Sequence, residues 1–552
     1  MKNPAGKNRR TKNTRLARIG LTAAAFCGAA AGAQAANCEK LLQLHLPDTA
    51  IHTAQSIPAG SYQPPGATVA YANLPAFCRV TATVSPVPGS TIGIELWLPA
   101  ANWNYKYQQS GNHGIGGTFY WAEMVRQLQR GYATGVTDDG HTATKGAYDT
   151  TFAFGNPQGI VDFAWRAVHE LAAKSRLVVA AYYGQPQRHS YFNGCSDGGR
   201  EALKAAQRFP HDFDGIIAGS AVADYTHNAT KQLVTTINWK NAGIVGAPGA
   251  AILALAQAAT TAHCDANDGV VDGQIRDPRR CHWDPRTLVC KPGQDAATCI
   301  TPQQAEAFEA NEATLRDPRT GRWIAGRMTP GSEHDENRFG FTNGLAGFGI
   351  ANYQIGLNDP TWDGSTFNLE TDLAVLDRNF GDAVNAVDPD LTEFRRAGGK
   401  LIQWHGWDDV VTQPDGAVRY YEQVVDRTTR GNLEETQDFY RLFMLPGIGH
   451  CGTGLGPDNI GEENYTAVSP DPEHDVVSAL EAWVERDTAP RKLIATKFVD
   501  NDATQGIQIQ RPVCPYPQEA VYKGSGDINV ASNFRCAIPR RDDRGHDEQR
   551  DR

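Results

Sequence analysis

Between residues 91 and 219 the apolar positions switch repeatedly between a two-residue and a helical period. Residues 91–98 (Thr-Ile-Gly-Ile-Glu-Leu-Trp-Leu) alternate as a strand does and stop at Pro99. Residues 105–109 read as a second strand, 122–129 as a helix and 131–136 as a third strand. Val161, Trp165, Val168, Leu171 and Ala172 then fall on one face of a helix over 161–176. A short strand at 189–193 runs through a Gly-flanked turn into a helix at 199–209, with apolar residues at 202, 203, 205, 206 and 209 and a stop at Pro210. A further strand covers 215–219. The same alternation returns late in the chain, as strands at 399–404 and 439–445 and helices at 417–426 and 476–485. Strands alternating with helices predict an α/β fold, a mostly parallel sheet covered on both faces.

The pattern lapses from about 221 to 390, where Asn, Asp, Gly and Thr dominate and four cysteines occur. This stretch is expected to be a lid domain inserted into a catalytic domain formed by 36–220 and 391–552. A chain of 552 residues exceeds one simple core, which agrees with an insertion. Residues 1–35 predict a secretory signal peptide: seven basic and no acidic residues up to Arg18, an apolar run from Ile19 to Ala31, then Ala33-Gln34-Ala35 as a cleavage site. Its loss moves the net charge from −10 to −17. Such an acidic product argues against nucleic-acid partners and anionic membranes. No other apolar run approaches membrane length, and no protein partner is evident. The tail from Arg540 is almost wholly charged, a composition expected to be disordered.

The turn at 194–198, Gly194-Cys195-Ser196-Asp197-Gly198, is Gly-x-Ser-x-Gly between a strand and a helix. That setting makes it the nucleophile elbow of an α/β-hydrolase. Ser196 is a weak nucleophile without a base. In this fold the acid and then the histidine follow later strands. Asp408 and Asp409 both stand after the strand ending at Trp404, and His450 follows the strand ending at Leu445. The oxyanion donors are expected to be the backbone N–H of Asp197 and one from the 111–117 loop, assigned to Gly114.

Loss of Cys27 with the signal segment leaves ten cysteines, an even number suited to disulfides in an exported protein. Cys264 with Cys281, Cys290 with Cys299, and Cys514 with Cys536 are natural local pairs. Cys38 with Cys78 would tie down the N-terminal segment. Cys195, beside the serine, and Cys451, beside the histidine, remain.

Three motifs resemble the tannase and feruloyl esterase family, which includes mono(2-hydroxyethyl) terephthalate hydrolases. They are residues 191–201 (Tyr-Phe-Asn-Gly-Cys-Ser-Asp-Gly-Gly-Arg-Glu), 405–409 (His-Gly-Trp-Asp-Asp) and 446–451 (Pro-Gly-Ile-Gly-His-Cys). The resemblance implies Asp409 as the acid, a Cys195–Cys451 bridge, and His405 beside the substrate. It also implies structural calcium in the lid, with carboxylates from Asp265, Asp268 and Asp272 and backbone carbonyls from Val270 and Gln274. By its residues alone this segment is equally a solvated acidic turn, although clustered carboxylates suit a hard cation. The likeness weakens in the lid. Residues 330–333 (Pro-Gly-Ser-Glu) match, but the expected aromatic-rich stretch is replaced by His334-Asp335-Glu336-Asn337-Arg338-Phe339-Gly340. No pocket arginine is therefore carried over.

Together these readings predict an exported, secreted or periplasmic serine carboxylic ester hydrolase. Its substrates would be small esters of aromatic acids of the gallate, hydroxycinnamate or terephthalate type, cleaved through an acyl-enzyme on Ser196. Trp239, Phe348, Tyr353 and Trp362 are lid aromatics able to stack on an aryl ring or to fill the core. The alternatives are an exported serine peptidase of the same fold and a non-catalytic, calcium-stabilised binding protein.

Overall fold

A computed structural model describes residues 37–338, 347–452, 454–462 and 467–539. The signal-peptide segment 1–35, Phe339 and Gly340 of the divergent lid stretch, and the tail from Arg540 lie outside the described residues.

A nine-stranded sheet organises the chain. Its strands are β1 (Thr49–Ile57), β2 (Phe77–Val84), β3 (Ile92–Pro99), β4 (Lys106–Ser110), β5 (Ala133–Thr137), β6 (His189–Cys195), β7 (Gly215–Gly219), β8 (Lys400–Gly406) and β9 (Tyr440–Leu445). They lie in the order β1-β2-β3-β5-β4-β6-β7-β8-β9. The six strands from β5 to β9 are parallel neighbours, and β1, β2 and β3 add an antiparallel edge. β1 and β2 come from the Pro- and Gly-rich start, where the sequence predicts only short extended pieces. They are held by the Cys38–Cys78 disulfide and by a buried ion pair in which Arg79 donates Nε and Nη2 to the Glu95 carboxylate at 2.7 and 2.8 Å.

Parallel strands require crossovers, and helices supply them. α1 (Trp121–Gln129) links β4 to β5, and α2 (Ala167–Tyr183) links β5 to β6. α3 (Asp197–Arg208) links β6 to β7, α9 (Pro414–Thr429) follows β8, and α10 (Val476–Arg486) follows β9. α2 runs past the predicted end at 176. Val178, Val179, Tyr182 and Tyr183 prolong its buried face, and Gly184, with φ of 70°, ends it.

The stretch between β7 and β8 adds no strand to this sheet. It is more helical than its composition predicts: α4 (Tyr225–Asn241), α5 (Gly246–Cys264), α6 (Pro302–Asn311), α7 (Gly347–Leu357) and α8 (Leu369–Leu376). α5 is rich in Ala and Leu, strong helix formers that a stretch-wide Asn and Gly count conceals. The four aromatics offered as stacking groups are core residues. Trp239 packs edge-on to Phe308, Tyr353 stacks on Trp362, and Phe348 meets Tyr225. All five expected disulfides are present, Cys38–Cys78, Cys195–Cys451, Cys264–Cys281, Cys290–Cys299 and Cys514–Cys536. Among the described residues no single helix is long and apolar enough to cross a membrane.

Candidate active site

The register of the parallel strands brings the expected site residues to one edge of the sheet. Cys195 at the end of β6 pairs with Gly219 at the end of β7. Trp404 of β8 pairs with Gly219, and Gly406 with Leu445 of β9. Ser196, Asp409 and His450 all follow these carboxyl ends, where the crevices of open α/β sheets bind ligands.

Ser196 adopts φ of 63° and ψ of −117°. That conformation costs about 1–3 kcal/mol in a non-glycine residue and points to a functional constraint. The flanking glycines make the turn possible. A Cβ on Gly194 would lie 2.7 Å from the Gly198 carbonyl carbon, and one on Gly199 would lie 2.4 Å from the Gly219 oxygen. The backbone is fixed by Ser196 N–H donating to Gly219 O at 3.0 Å and Val222 N–H donating to Ser196 O at 3.2 Å.

The two aspartates left open by the residues are now separated. His450 Nδ1 lies 2.9 Å from Asp409 Oδ2 and 3.1 Å from Oδ1. Asp409 also accepts the N–H groups of Val411 and Thr412 at 2.9 Å and the Thr412 hydroxyl at 2.6 Å. Burial pushes its carboxyl up, but His450, His405 and Thr412 outweigh that and hold it below the usual range. Asp408 faces the other way, with Oδ2 2.8 Å from His334 Nε2. Burial raises its carboxyl, and His334 opposes the rise. Asp335 Oδ2 in turn accepts the His450 N–H at 3.4 Å. The divergent lid segment therefore grips both the acid loop and the histidine loop.

His405, expected beside the substrate, lies buried behind the acid. It is 1% exposed, its Nε2 lies 2.7 Å from Thr412 O and 3.4 Å from Asp409 Oδ2, and burial pushes its pKa down. It backs the acid as a neutral ring. Thr412 escaped sequence reading, although a Thr three residues after an Asp is a recognisable turn signal. Ser220, whose Oγ accepts the Cys451 N–H at 3.3 Å, carried no signal.

The 111–117 loop lies over the start of α3. Asn112 O accepts the Gly198 N–H at 2.7 Å. The N–H groups of Gly111, Ile115, Gly116 and Gly117 are spent on Asn193, Ala147, His113 and Asp138 carbonyls, and that of Asn112 on Glu201 Oε2. The N–H of Gly114 donates to no acceptor among the described residues. Asp197 opens α3, and the first N–H groups of a helix have no partner within it.

Such a site supports proton transfer from a hydroxyl to an imidazole oriented by a carboxylate, with backbone donors nearby. The sequence matches the model of the family described as "Tannase and feruloyl esterase" over residues 78–331 and 307–537. The chain belongs to the tannase and feruloyl esterase family. It is similar to an uncharacterized esterase of Xanthomonas campestris pv. campestris, 38% identical over 541 residues and 91% of each chain. A probable feruloyl esterase B-1 of Neosartorya fischeri is 30% identical, over 94% of this chain and 98% of that one. The crystal structure of feruloyl esterase B from Aspergillus oryzae superposes with a TM-score of 0.84 at 26% identity, over 91% of this chain and 99% of that one. The protein is thus a carboxylic ester hydrolase with an α/β-hydrolase fold.

In this esterase the 265–274 loop holds its acids close together. Asp265 accepts N–H groups of Asp272 and Gly273 at 3.0 Å, and Asp268 accepts that of Val270 at 2.9 Å. Asp268, Val270, Asp272 and Gln274 line one cavity of about 30 Å³, room for a single small occupant. Burial and their mutual charge push Asp268 and Asp272 up, against the pull of Arg276 and Arg511. Arg511 Nη2 reaches Asp272 Oδ2 at 2.6 Å and Arg276 Nε reaches Asp268 Oδ2 at 3.8 Å, so two of the three acids already have a cationic partner. The oxygen-rich set still fits a hard cation.

Proposed function

We propose that this esterase is an exported serine hydrolase of aromatic-acid esters. The observation that carries the reading is the alignment of His450 Nδ1 on Asp409 at the same sheet edge as Ser196 on its strained elbow. Ser196 Oγ attacks the ester carbonyl and gives its proton to His450 Nε2, while Asp409 stabilises the imidazolium. The N–H groups of Asp197 and Gly114 receive the oxyanion, each donor of this kind contributing about 10²–10³ in kcat. His450 then protonates the departing alcohol, and water hydrolyses the acyl group from Ser196 by the reverse sequence. Relatives named feruloyl esterase favour an aromatic acyl group. Five disulfides favour export to an oxidising compartment.

A panel of methyl gallate, methyl ferulate, a terephthalate monoester and methyl butyrate tests the substrate class. We expect kcat/KM on at least one aryl ester to exceed that on butyrate at least tenfold. Preference for the aliphatic ester would overturn the aromatic assignment.

Calcium belongs to the same reading. Asp265, Asp268 and Asp272, with the Val270 and Gln274 carbonyls, would hold it, and its positive charge would relieve the repulsion among the acids. The loop's role is structural. The segment from 268 to 276 packs against the C-terminal region through Arg276–Glu519 and Asp272–Arg511 contacts. Chelation should lower Tm by a few degrees, restored by calcium but not by magnesium. An ion at a hundredfold excess over its Kd stabilises by about 2.7 kcal/mol. Equal Tm with and without chelator would remove the metal from this account.

A further inference from the structure

Beneath the oxyanion loop lies a group of buried acids that the proposed chemistry does not use. Asp139, Asp197 and Glu201 are all buried, and one carboxyl oxygen from each lies within 4.8 Å of the others. Arg200 accounts for only one of them. Its Nε and Nη2 donate to Asp197 at 2.5 and 3.1 Å, and its remaining donors go to the carbonyls of Ala164 and Phe163. Glu201 Oε2 accepts the Asn112 N–H at 2.9 Å. Glu201 Oε1 and both oxygens of Asp139 are buried and meet no donor among the described residues. A buried carboxylate without a donor is strongly disfavoured. Two such groups facing each other become stable when one is a carboxylic acid and donates its proton to the other.

We propose that Asp139 and Glu201 share one proton and that this acid pair is the positioning element of the oxyanion loop. The geometry ties each acid to that loop. Glu201 holds it from α3 through the Asn112 N–H, and Asn112 O holds the Gly198 N–H in return. Asp139 buttresses its far end, where a Cβ on Gly116 would lie 2.5 Å from Asp139 Oδ2. The Gly114 N–H sits between these two supports. Losing the shared proton leaves two buried anions beside Asp197, with Arg200 as their nearest cation, and their repulsion parts the loop from α3. Both acids are pushed up in pKa, Asp139 by burial and the charges of Glu201 and Asp197, Glu201 by burial and Asp197. The other charged and titratable groups around the pair are Asp138 and His141 of the Asp139 loop, Asp162 behind Asp138, His113 of the oxyanion loop, and Tyr225 of α4. Neither acid touches substrate; both act through backbone donors.

The inference rests on the serine-esterase reading, and the experiment separates the two. Asp139→Asn replaces the acid proton with an amide N–H that cannot be lost. We expect kcat within about threefold of the parent near neutrality, an unchanged KM, and an alkaline fall in kcat displaced upward by about one pH unit or more. Asp139→Ala should lower kcat by about 10²-fold at unchanged KM, the size of one lost oxyanion donor. In the parent enzyme, infrared difference spectra should show a protonated carboxyl C=O band that disappears in step with alkaline loss of kcat and is missing from Asp139→Asn. An alkaline limb in Asp139→Asn that coincides with the parent's, or a parent without the carboxyl band, would overturn the proposal. The infrared measurement needs no turnover, so it decides even where a variant folds poorly. Activity retained by Ser196→Ala would instead sink the underlying esterase mechanism and leave the shared proton intact.

Discussion

Replacing Ser196 with alanine should lower kcat on an aryl ester by about 10⁴–10⁶-fold while leaving substrate binding and Tm nearly unchanged. The size follows from the constellation acting as one unit. Without the hydroxyl, His450 and Asp409 have no proton to handle, and what survives is the contribution of oxyanion donors and binding, about 10³–10⁴ over water. At about 1.36 kcal/mol per tenfold, the loss is roughly 5–8 kcal/mol of transition-state stabilisation. Stability should hold because the turn belongs to the backbone. Alanine keeps the Cβ that already sits at φ of 63°, and the hydrogen bonds from Ser196 N–H to Gly219 and from Val222 N–H to Ser196 O are main-chain. The measurements are kcat and KM on the best aryl ester, active-site labelling by a fluorophosphonate, and a melting curve. Residual turnover above about 1% of the parent with an unchanged melt would mean that another group attacks the ester.

Most of this site was legible because each of its parts leaves a local mark. An elbow needs glycines where backbones meet, and Gly194 and Gly199 stand at two such close approaches. The acid and histidine follow strands whose apolar runs are plain. What stayed hidden depends on contacts between distant segments. By their residues alone Asp408 and Asp409 are equivalent; the family resemblance singles out Asp409, and the structure sets it against His450 while Asp408 meets His334. The burial of His405 behind Asp409 arises from the return of the chain at Thr412. The pairing of Asp139 with Glu201 spans a crossover helix. The antiparallel edge was missed for a different reason. β1 and β2 are nine and eight residues long, but a Pro- and Gly-rich segment separates them and they take their place in the sheet by pairing with each other and with β3. Between 221 and 390 composition misled: the overall Asn, Gly and Thr content masked α5, whose own residues favour a helix, and α4 is helical despite its Thr and Asn, held by its burial.

Removing the Cys195–Cys451 bridge by a double alanine substitution should cost both stability and turnover, and the second loss is the more telling. The bridge closes a loop of 256 residues, for which chain entropy gives about 5 kcal/mol. Cys38–Cys78 closes one of 40 residues, and the same relation gives about 4 kcal/mol. Loop length alone thus separates the two by less than about 2 kcal/mol, so melting curves of the two double variants should fall by comparable amounts. Activity should not. Cys195 and Cys451 adjoin Ser196 and His450, with their Cα atoms 5.8 Å apart. The histidine loop is also held by hydrogen bonds, from the Asp408 N–H to Ile448 O at 2.9 Å, between His450 Nδ1 and Asp409 at 2.9 Å, and from the Cys451 N–H to Ser220 at 3.3 Å, but the disulfide is its covalent tie to the serine turn. A displacement of about 1 Å between reacting groups costs about 10²-fold. At a temperature where both variants remain folded, kcat should therefore fall about 10²-fold for the Cys195/Cys451 pair and stay within about threefold for Cys38/Cys78. Equal kcat in the two variants would assign the bridge to stability alone and leave the meeting of Ser196 with His450 to the packing of the loops.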